Sequence, residues 1–123
     1  MITHELEILR KPEVQEYIRE KMGELVKDPH YHYFCIENGR TVSYLIPDCI
    51  SRDSERPERG LVGMLDDSWE IIKPCLSDKW MVCLDEQMGQ GPDALSYVQN
   101  ISFSGAPRLA LLKALEWQIR RKG

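Results

Sequence analysis

The sequence predicts an α+β domain in which three helices pack against a four-stranded, mainly antiparallel sheet. Two observations carry this prediction: apolar residues recur at three- and four-residue spacing in three segments, and they alternate with period two in four others. The segments follow one another in the order α-β-β-α-β-β-α, in which hairpin-connected strands pair antiparallel. The apolar content of the last two strands favours a sheet buried on both faces, an α/β/α sandwich, although the order also allows all helices on one face.

Composition indicates a single domain over residues 1–123. The chain has a formal net charge of −4 and 42% hydrophobic residues, which is typical of a globular domain and not of a disordered chain. Its most apolar stretch, 109–119, is interrupted by Lys113 and Glu116 and is shorter than the ~20 apolar residues of a membrane span. The first residues lack the basic and apolar regions of a secretory signal. We therefore expect a cytoplasmic protein that does not bind membranes.

The four cysteines are widely spaced and contain no CxxC pair. A domain of this size can be held by its core without disulfides, and free cysteine behaves as a small hydrophobic residue. We therefore expect four reduced thiols that are mostly buried.

The first helix is predicted after Pro12, which suits a first helical turn, and ends before Pro29. A shorter helical turn within residues 1–10 is expected to precede it. The apolar stripe of the first helix consists of Val14, Tyr17, Ile18, Met22, Leu25 and Val26.

A β-hairpin over residues 31–46 is the clearest local signal in the chain. Side chains alternate on both sides of Asn38-Gly39, a pair that tolerates the positive φ angles of a two-residue type I′ turn. Residues 47–60 then combine charges of both signs with two prolines and a glycine, so we expect a long exposed loop there.

A second helix is predicted to begin at Asp66 or Asp67, either of which is a suitable N-cap, and to be limited by Pro74. Two strands are predicted to follow, over 79–85 and 95–103, with a loop over 86–93 between them. The apolar positions of the second helix, at helical spacing, are Leu65, Trp69, Ile72 and Leu76.

The last segment carries the best helical pattern. Ser104 is a favourable N-cap, Pro107 lies in the first turn, and the basic residues of 120–122 end the helix, where cations interact favourably with its dipole. Its basic end therefore has a structural explanation. The broad apolar stripe consists of Leu109, Leu111, Leu112, Leu115 and Ile119.

Three stretches of the C-terminal half resemble the phage ABA sandwich family of small phage and prophage proteins. They are the acidic, Trp-containing stretch 65–72, the Trp-containing stretch 80–84, and the Ala-Pro-Arg-Leu turn from Ala106 that opens the last helix. Arg108 departs slightly from the Ala-Pro-Leu-like turn of that family. The resemblance implies an α/β/α sandwich and a phage or prophage origin, and hence the cytoplasm of a bacterial host. It implies no activity, because the family carries no catalytic motif to transfer.

A small enzyme or a metal-binding domain with its site near His30, His32 and Cys35 is the alternative function. Zinc is usually held by two close pairs of Cys or His ligands, and the second pair is missing here. Neither a GxSxG elbow nor a P-loop is present. We therefore expect no catalytic residues, no metal and no cofactor, and we consider an enzyme less favoured than a binding protein.

Protein binding is the function that the sequence favours. An acidic chain whose basic cluster is confined to 120–122 is poorly suited to nucleic acid. The expected partner is a host or phage protein, or a second copy in a homodimer, because an edge strand can pair with either. The candidate binding residues, from the hairpin and the charged loop, are Tyr31, Tyr33, Arg52, Arg56 and Arg59.

Overall fold

The structure is a computed structural model that describes residues 2–49, 60–88 and 97–122. The helices are α1 (Ile2–Leu9), α2 (Pro12–Met22), α3 (Leu61–Met64) and α4 (Pro107–Lys122). The strands are β1 (His32–Glu37), β2 (Arg40–Leu45), β3 (Glu70–Ile72), β4 (Trp80–Met88) and β5 (Tyr97–Gly105). Two 3-10 turns, Gly23–Lys27 and Pro29–Tyr31, connect α2 to β1. The predicted mixed α+β class is confirmed.

The described strands form two separate sheets, so the prediction of a single four-stranded sheet is wrong. β1 and β2 form a two-stranded antiparallel sheet, while β3, β4 and β5 form a three-stranded antiparallel sheet in that order. The edge of β4 that does not face β5 is occupied by β3, a strand that local periodicity does not predict, and not by the first hairpin. The hairpin instead packs beside α2.

The predicted helix after Asp66 is not formed. Residues 70–72 pair with β4 as a strand, and Leu76, which was expected on an apolar stripe, is fully exposed. Trp69 is buried as the pattern suggested, but its indole Nε1 donates to Gln118 Oε1 of α4 at 3.0 Å. Distant partners therefore override the local helical spacing in this segment.

Helix α4 occupies the centre of the core. It packs against α1, α2, α3, β4 and β5, which confirms the predicted amphipathic helix. Its start differs from the prediction, because Ser104 lies in β5 and is not the N-cap of a helix that begins at Pro107. The α4 residues with no exposed surface are Ala110, Leu111, Leu112, Ala114 and Leu115.

The described helices cover one face of the three-stranded sheet and leave the other open. On the inner face, Val82 is fully buried and pairs with Ile71 and Phe103, which pack against the core. On the outer face, the cross-strand pair Ile72 and Met81 is 40% and 41% exposed. The described residues therefore build two layers and not the α/β/α sandwich that the resemblance implies.

The lengths of the last two strands also differ from the prediction. β4 continues through Met88, and β5 begins at Tyr97 and ends at Gly105. The predicted loops, 47–60 and 86–93, lie largely outside the described residues. At the two ends of the first loop, the Leu61 N–H donates to the Asp48 carbonyl at 3.1 Å. No helix in the described ranges is long and apolar enough to cross a bilayer.

Candidate protein-binding surface

The turn between β1 and β2 fixes the geometry of the candidate surface. Asn38 and Gly39 have φ angles of 53° and 76°, both in the left-handed region, which confirms the predicted two-residue hairpin. The register that follows places Phe34 opposite Ser43 and Ile36 opposite Thr41. Because residues opposite each other share a face of the sheet, these four side chains lie on one side of the hairpin.

This face of the hairpin exposes large apolar side chains near the turn. Phe34 is 59% exposed and Ile36 is 77% exposed, and we refer to the two as the apolar patch. Their partners Ser43 and Thr41 are small and exposed themselves, so they cannot cover the patch. At the base of the same face, Leu45 is only 1% exposed and belongs to the core. The hairpin is thus anchored at its base and open near its turn.

The outer edge of β2 is partly closed by a side chain of α2. Leu45 N–H donates to Gln15 Oε1 at 3.0 Å, and Gln15 Nε2 donates to the Leu45 carbonyl at 3.2 Å. The Leu45 main-chain groups therefore point away from β1. By the alternation of an antiparallel ladder, the main-chain groups of His32, Phe34 and Ile36 point away from β2.

Several main-chain groups at the outer edge of β1 have no partner among the described residues. His32 N–H donates to the Pro29 carbonyl within the preceding 3-10 turn. No described strand pairs with this edge, and no described group forms a hydrogen bond with the main chain of Phe34 or Ile36 at this edge. Within the part of the chain that the structure describes, the two residues of the apolar patch therefore also present N–H donors and carbonyl acceptors without a partner.

A charged network holds the opposite face of the hairpin. Arg10 Nε donates to Glu37 Oε1, and Tyr44 Oη donates to Glu37 Oε2, both at 2.6 Å. The hydrogen bond from Tyr44 and the bond from Arg10 hold the pKa of the Glu37 carboxyl below its ordinary value, and the bond to Glu37 raises the pKa of Tyr44. The network ties the turn end of the hairpin to the residue that follows α1.

This network predicts an acid-sensitive contribution to stability. The pKa of Glu37 is lowered in the folded protein from 4.5, so its contribution is fully present above about pH 4.5 and is lost as the pH falls through the folded value. We expect urea unfolding between about pH 7 and pH 3 to show a larger stability loss for the native chain than for Glu37→Gln, which cannot titrate at this position. Equal pH dependence of the two proteins would contradict this role of Glu37.

The structure brings together few of the residues that the sequence predicts for the site. Tyr31 is only 8% exposed and packs in the core, because it lies in the 3-10 turn before β1 and not in the strand. Tyr33 is half-buried and lies opposite Tyr44. The three candidate loop arginines, Arg52, Arg56 and Arg59, lie outside the described residues. Tyr31 is consequently a packing residue, and Tyr33 is the tyrosine of the two that reaches the surface.

His30, His32 and Cys35 do not converge. His30 is exposed and precedes β1, whereas His32 and Cys35 lie three residues apart in the strand and so on opposite faces. His32 Nε2 lies 2.5 Å from the Val26 carbonyl oxygen, to which it can donate. Among the side chains that the structure describes, no three His, Cys, Asp or Glu residues are placed to hold a metal ion.

All four cysteines are free thiols, as predicted, but they are not mostly buried. Cys49 and Cys83 are buried, Cys35 is half-buried and Cys75 is exposed. Burial raises the pKa of the Cys49 and Cys83 thiols. A protonated thiol is a poor nucleophile, so the two buried cysteines are suited to packing and not to catalysis.

A cleft of about 600 Å³ between α1 and α4 contains titratable side chains. These side chains largely satisfy one another: Lys11 forms an ion pair with Glu116, and His4 Nδ1 lies 4.0 Å from Glu7 Oε2. Nucleophilic catalysis needs a nucleophile, a base and an orienting group in mutual reach. Among the side chains that the structure describes, the lining of the cleft offers paired charges without a Ser, Cys or Thr nucleophile.

Sequence reasoning missed the exposure of Phe34 and Ile36, although a signal for it is present in the sequence. The Asn-Gly turn alone fixes their partners as Ser43 and Thr41, which are too small to cover them. The hairpin combines its apolar patch with an edge that no described strand pairs, and its two apolar side chains are more exposed than Ile72 and Met81 on the three-stranded sheet. No protein-family model, no curated protein and no solved structure matches the chain.

Proposed function

We propose that this chain is a small non-enzymatic protein-binding module, to which a partner protein adds an extended segment along the outer edge of β1. One observation carries the proposal: at Phe34 and Ile36, exposed apolar side chains coincide with main-chain groups that no described strand pairs. In strand addition, main-chain hydrogen bonds supply affinity and side-chain contacts supply specificity. Both kinds of contact are available here from the same residues.

The β1 edge also lacks the features that normally protect an exposed edge. Such edges are usually blocked by charged side chains, by proline or by a bulge. Residues 32–36 contain no Asp, Glu, Lys, Arg or proline, and their pairing with β2 is continuous. The nearest charge, Glu37, lies on the other face and is bound by Arg10 and Tyr44. This favours an edge that is covered in a complex.

The chemistry of the edge specifies the kind of partner. We expect an extended segment with apolar side chains facing the patch and without proline at positions whose N–H must donate. The net charge of −4 favours a protein over a nucleic acid as the partner. The C-terminal half resembles a family of small phage and prophage proteins. For an accessory protein of that origin, a host or phage protein supplies this segment.

Selection from a library of random ten-residue peptides displayed on phage tests the proposal. The substitution Phe34→Lys replaces an exposed side chain of the patch, and Thr41→Lys introduces the same charge on the same face of β2 as a matched control. Enriched peptides should show alternating apolar residues and bind the native chain and Thr41→Lys alike. Their affinity for Phe34→Lys should fall by about tenfold or more, as expected for the loss of a buried aromatic contact.

Two results of this selection would count against the proposal. The first is that no peptide is enriched by the native chain over a protein-free surface. The second is that the enriched peptides bind Phe34→Lys as well as they bind Thr41→Lys, which would place the binding surface elsewhere.

A further inference from the structure

We infer that the β1 edge binds a second copy of this chain, and that the two β1 strands pair antiparallel about a two-fold axis at Phe34. The inference rests on the proposed function, because it requires the same edge to accept a strand. It goes further by naming the occupant and the register of pairing.

The outward main-chain groups of β1 can pair with those of a second copy, except for the Ile36 carbonyl, because the His32 N–H opposite it is bonded to the Pro29 carbonyl. They belong to three alternate residues, His32, Phe34 and Ile36, with Phe34 at the centre. A two-fold axis there places Phe34 opposite Phe34 of the second copy and Ile36 opposite His32 of the second copy. Each Phe34 N–H then donates to the other Phe34 carbonyl, and each Ile36 N–H donates to the other His32 carbonyl. The His32 N–H keeps its bond to Pro29.

The side chains fit the same register. Residues paired across strands share a face, so the two Phe34 rings become neighbours at the axis and each Ile36 lies beside His32 of the other copy. This arrangement covers side chains that are 59% and 77% exposed in the single chain. The outward positions carry no Asp, Glu, Lys or Arg, and Glu37, which falls opposite Tyr31, is already bound by Arg10 and Tyr44. No like charges are brought together.

The size of the contact sets the expected affinity. The contact consists of one pair of short strands and two apolar side chains from each copy. Its buried area falls below roughly 1,200 Å², the range of weak and transient complexes. We therefore expect a dimer that dissociates in the micromolar range, and not an obligate dimer.

Sedimentation equilibrium of the full chain, from about 5 to about 500 µM, tests the inference. We expect the mass of the native chain to rise from one copy to two across this range. Phe34→Lys and Phe34→Glu should each stay monomeric, because each places like charges opposite each other at the axis. An equimolar mixture of the two variants should dimerise again, since Lys then faces Glu. Thr41→Lys, away from the β1 edge, should dimerise like the native chain.

The outcomes separate this inference from the proposed function. A native chain that stays monomeric throughout the range overturns the inference. The peptide selection then remains as the separate test of strand addition by a partner protein. A dimer that persists in Phe34→Lys overturns the assignment to the patch. Variants that are monomeric alone and remain so when mixed overturn the two-fold pairing of Phe34 with itself.

Discussion

Gln118→Leu should lower the free energy of unfolding by about 3–5 kcal/mol, a large part of the stability of a domain of this size. The side chain of Gln118 is 2% exposed and all its hydrogen-bonding groups are used. Its Oε1 accepts from Asp66 N at 2.9 Å and from Trp69 Nε1 at 3.0 Å, and its Nε2 donates to Met64 O at 3.2 Å and Tyr17 Oη at 3.3 Å. Leucine has a similar volume but removes all four hydrogen bonds, and it takes the acceptor away from the indole N–H of the buried Trp69.

Urea unfolding followed by tryptophan fluorescence measures this loss, since Trp69 is itself a partner of Gln118. Lys113→Leu is the matched control, because it also introduces leucine into α4. The hydrogen bond that it removes, from Lys113 to the Ser104 carbonyl, is long and exposed. We expect the control to change stability by less than about 0.5 kcal/mol. A Gln118→Leu protein as stable as this control would show that the hydrogen bonds of Gln118 do not hold residues 64–69.

Leu45→Ala should cost about 2–5 kcal/mol, whereas Ile36→Ala should cost less than about 0.5 kcal/mol. The two residues lie on the same face of one hairpin, but Leu45 is 1% exposed and Ile36 is 77% exposed. Removing the Leu45 side chain leaves a cavity where the hairpin enters the core. Removing the Ile36 side chain takes away surface that the single chain leaves in water.

Thermal or urea unfolding at low micromolar concentration measures both changes on a monomeric chain. Nearly equal losses for the two variants would mean that the turn end of the hairpin packs against the molecule as its base does. In that case the apolar patch would not be an open surface.

The hairpin and the last helix could be predicted because their determinants are local. Asn38-Gly39 supplies the two positive φ angles that a two-residue turn needs, and the turn then fixes every pair in the register. In α4, the apolar stripe is sustained over enough turns to identify a helix without knowledge of its neighbours. Only its start was misplaced, because Ser104 continues the strand before it.

The segment after Asp66 could not be predicted, because distant groups determine it. Its apolar spacing matches a helix, but Gln118, 49 residues away from Trp69, binds its indole, and β4 pairs with its next three residues. The same dependence on distant groups explains why the prediction of one four-stranded sheet is wrong. Periodicity identifies strands and hairpins, but which hairpin meets which edge depends on long-range packing that no local pattern records.

The sequence and the structure both direct attention to the hairpin, but to different residues of it. Alternation separates the two faces of a strand without showing which face the rest of the chain covers. Tyr31 was chosen as an exposed aromatic residue, yet the 3-10 turn before β1 directs it into the core. Phe34, in contrast, is exposed, since no described element packs over it near the turn.

In the pairing of two copies that we propose, Gln15 limits the addition of further copies to the hairpin. A hairpin with two fully open edges would let strand after strand be added, and the sheet would grow into a fibril. The amide of Gln15 already occupies the Leu45 end of one edge, so a further strand there would find only Thr41 and Ser43 to pair with. The side chain of Gln15 thereby favours the proposed dimer over a sheet that grows without limit.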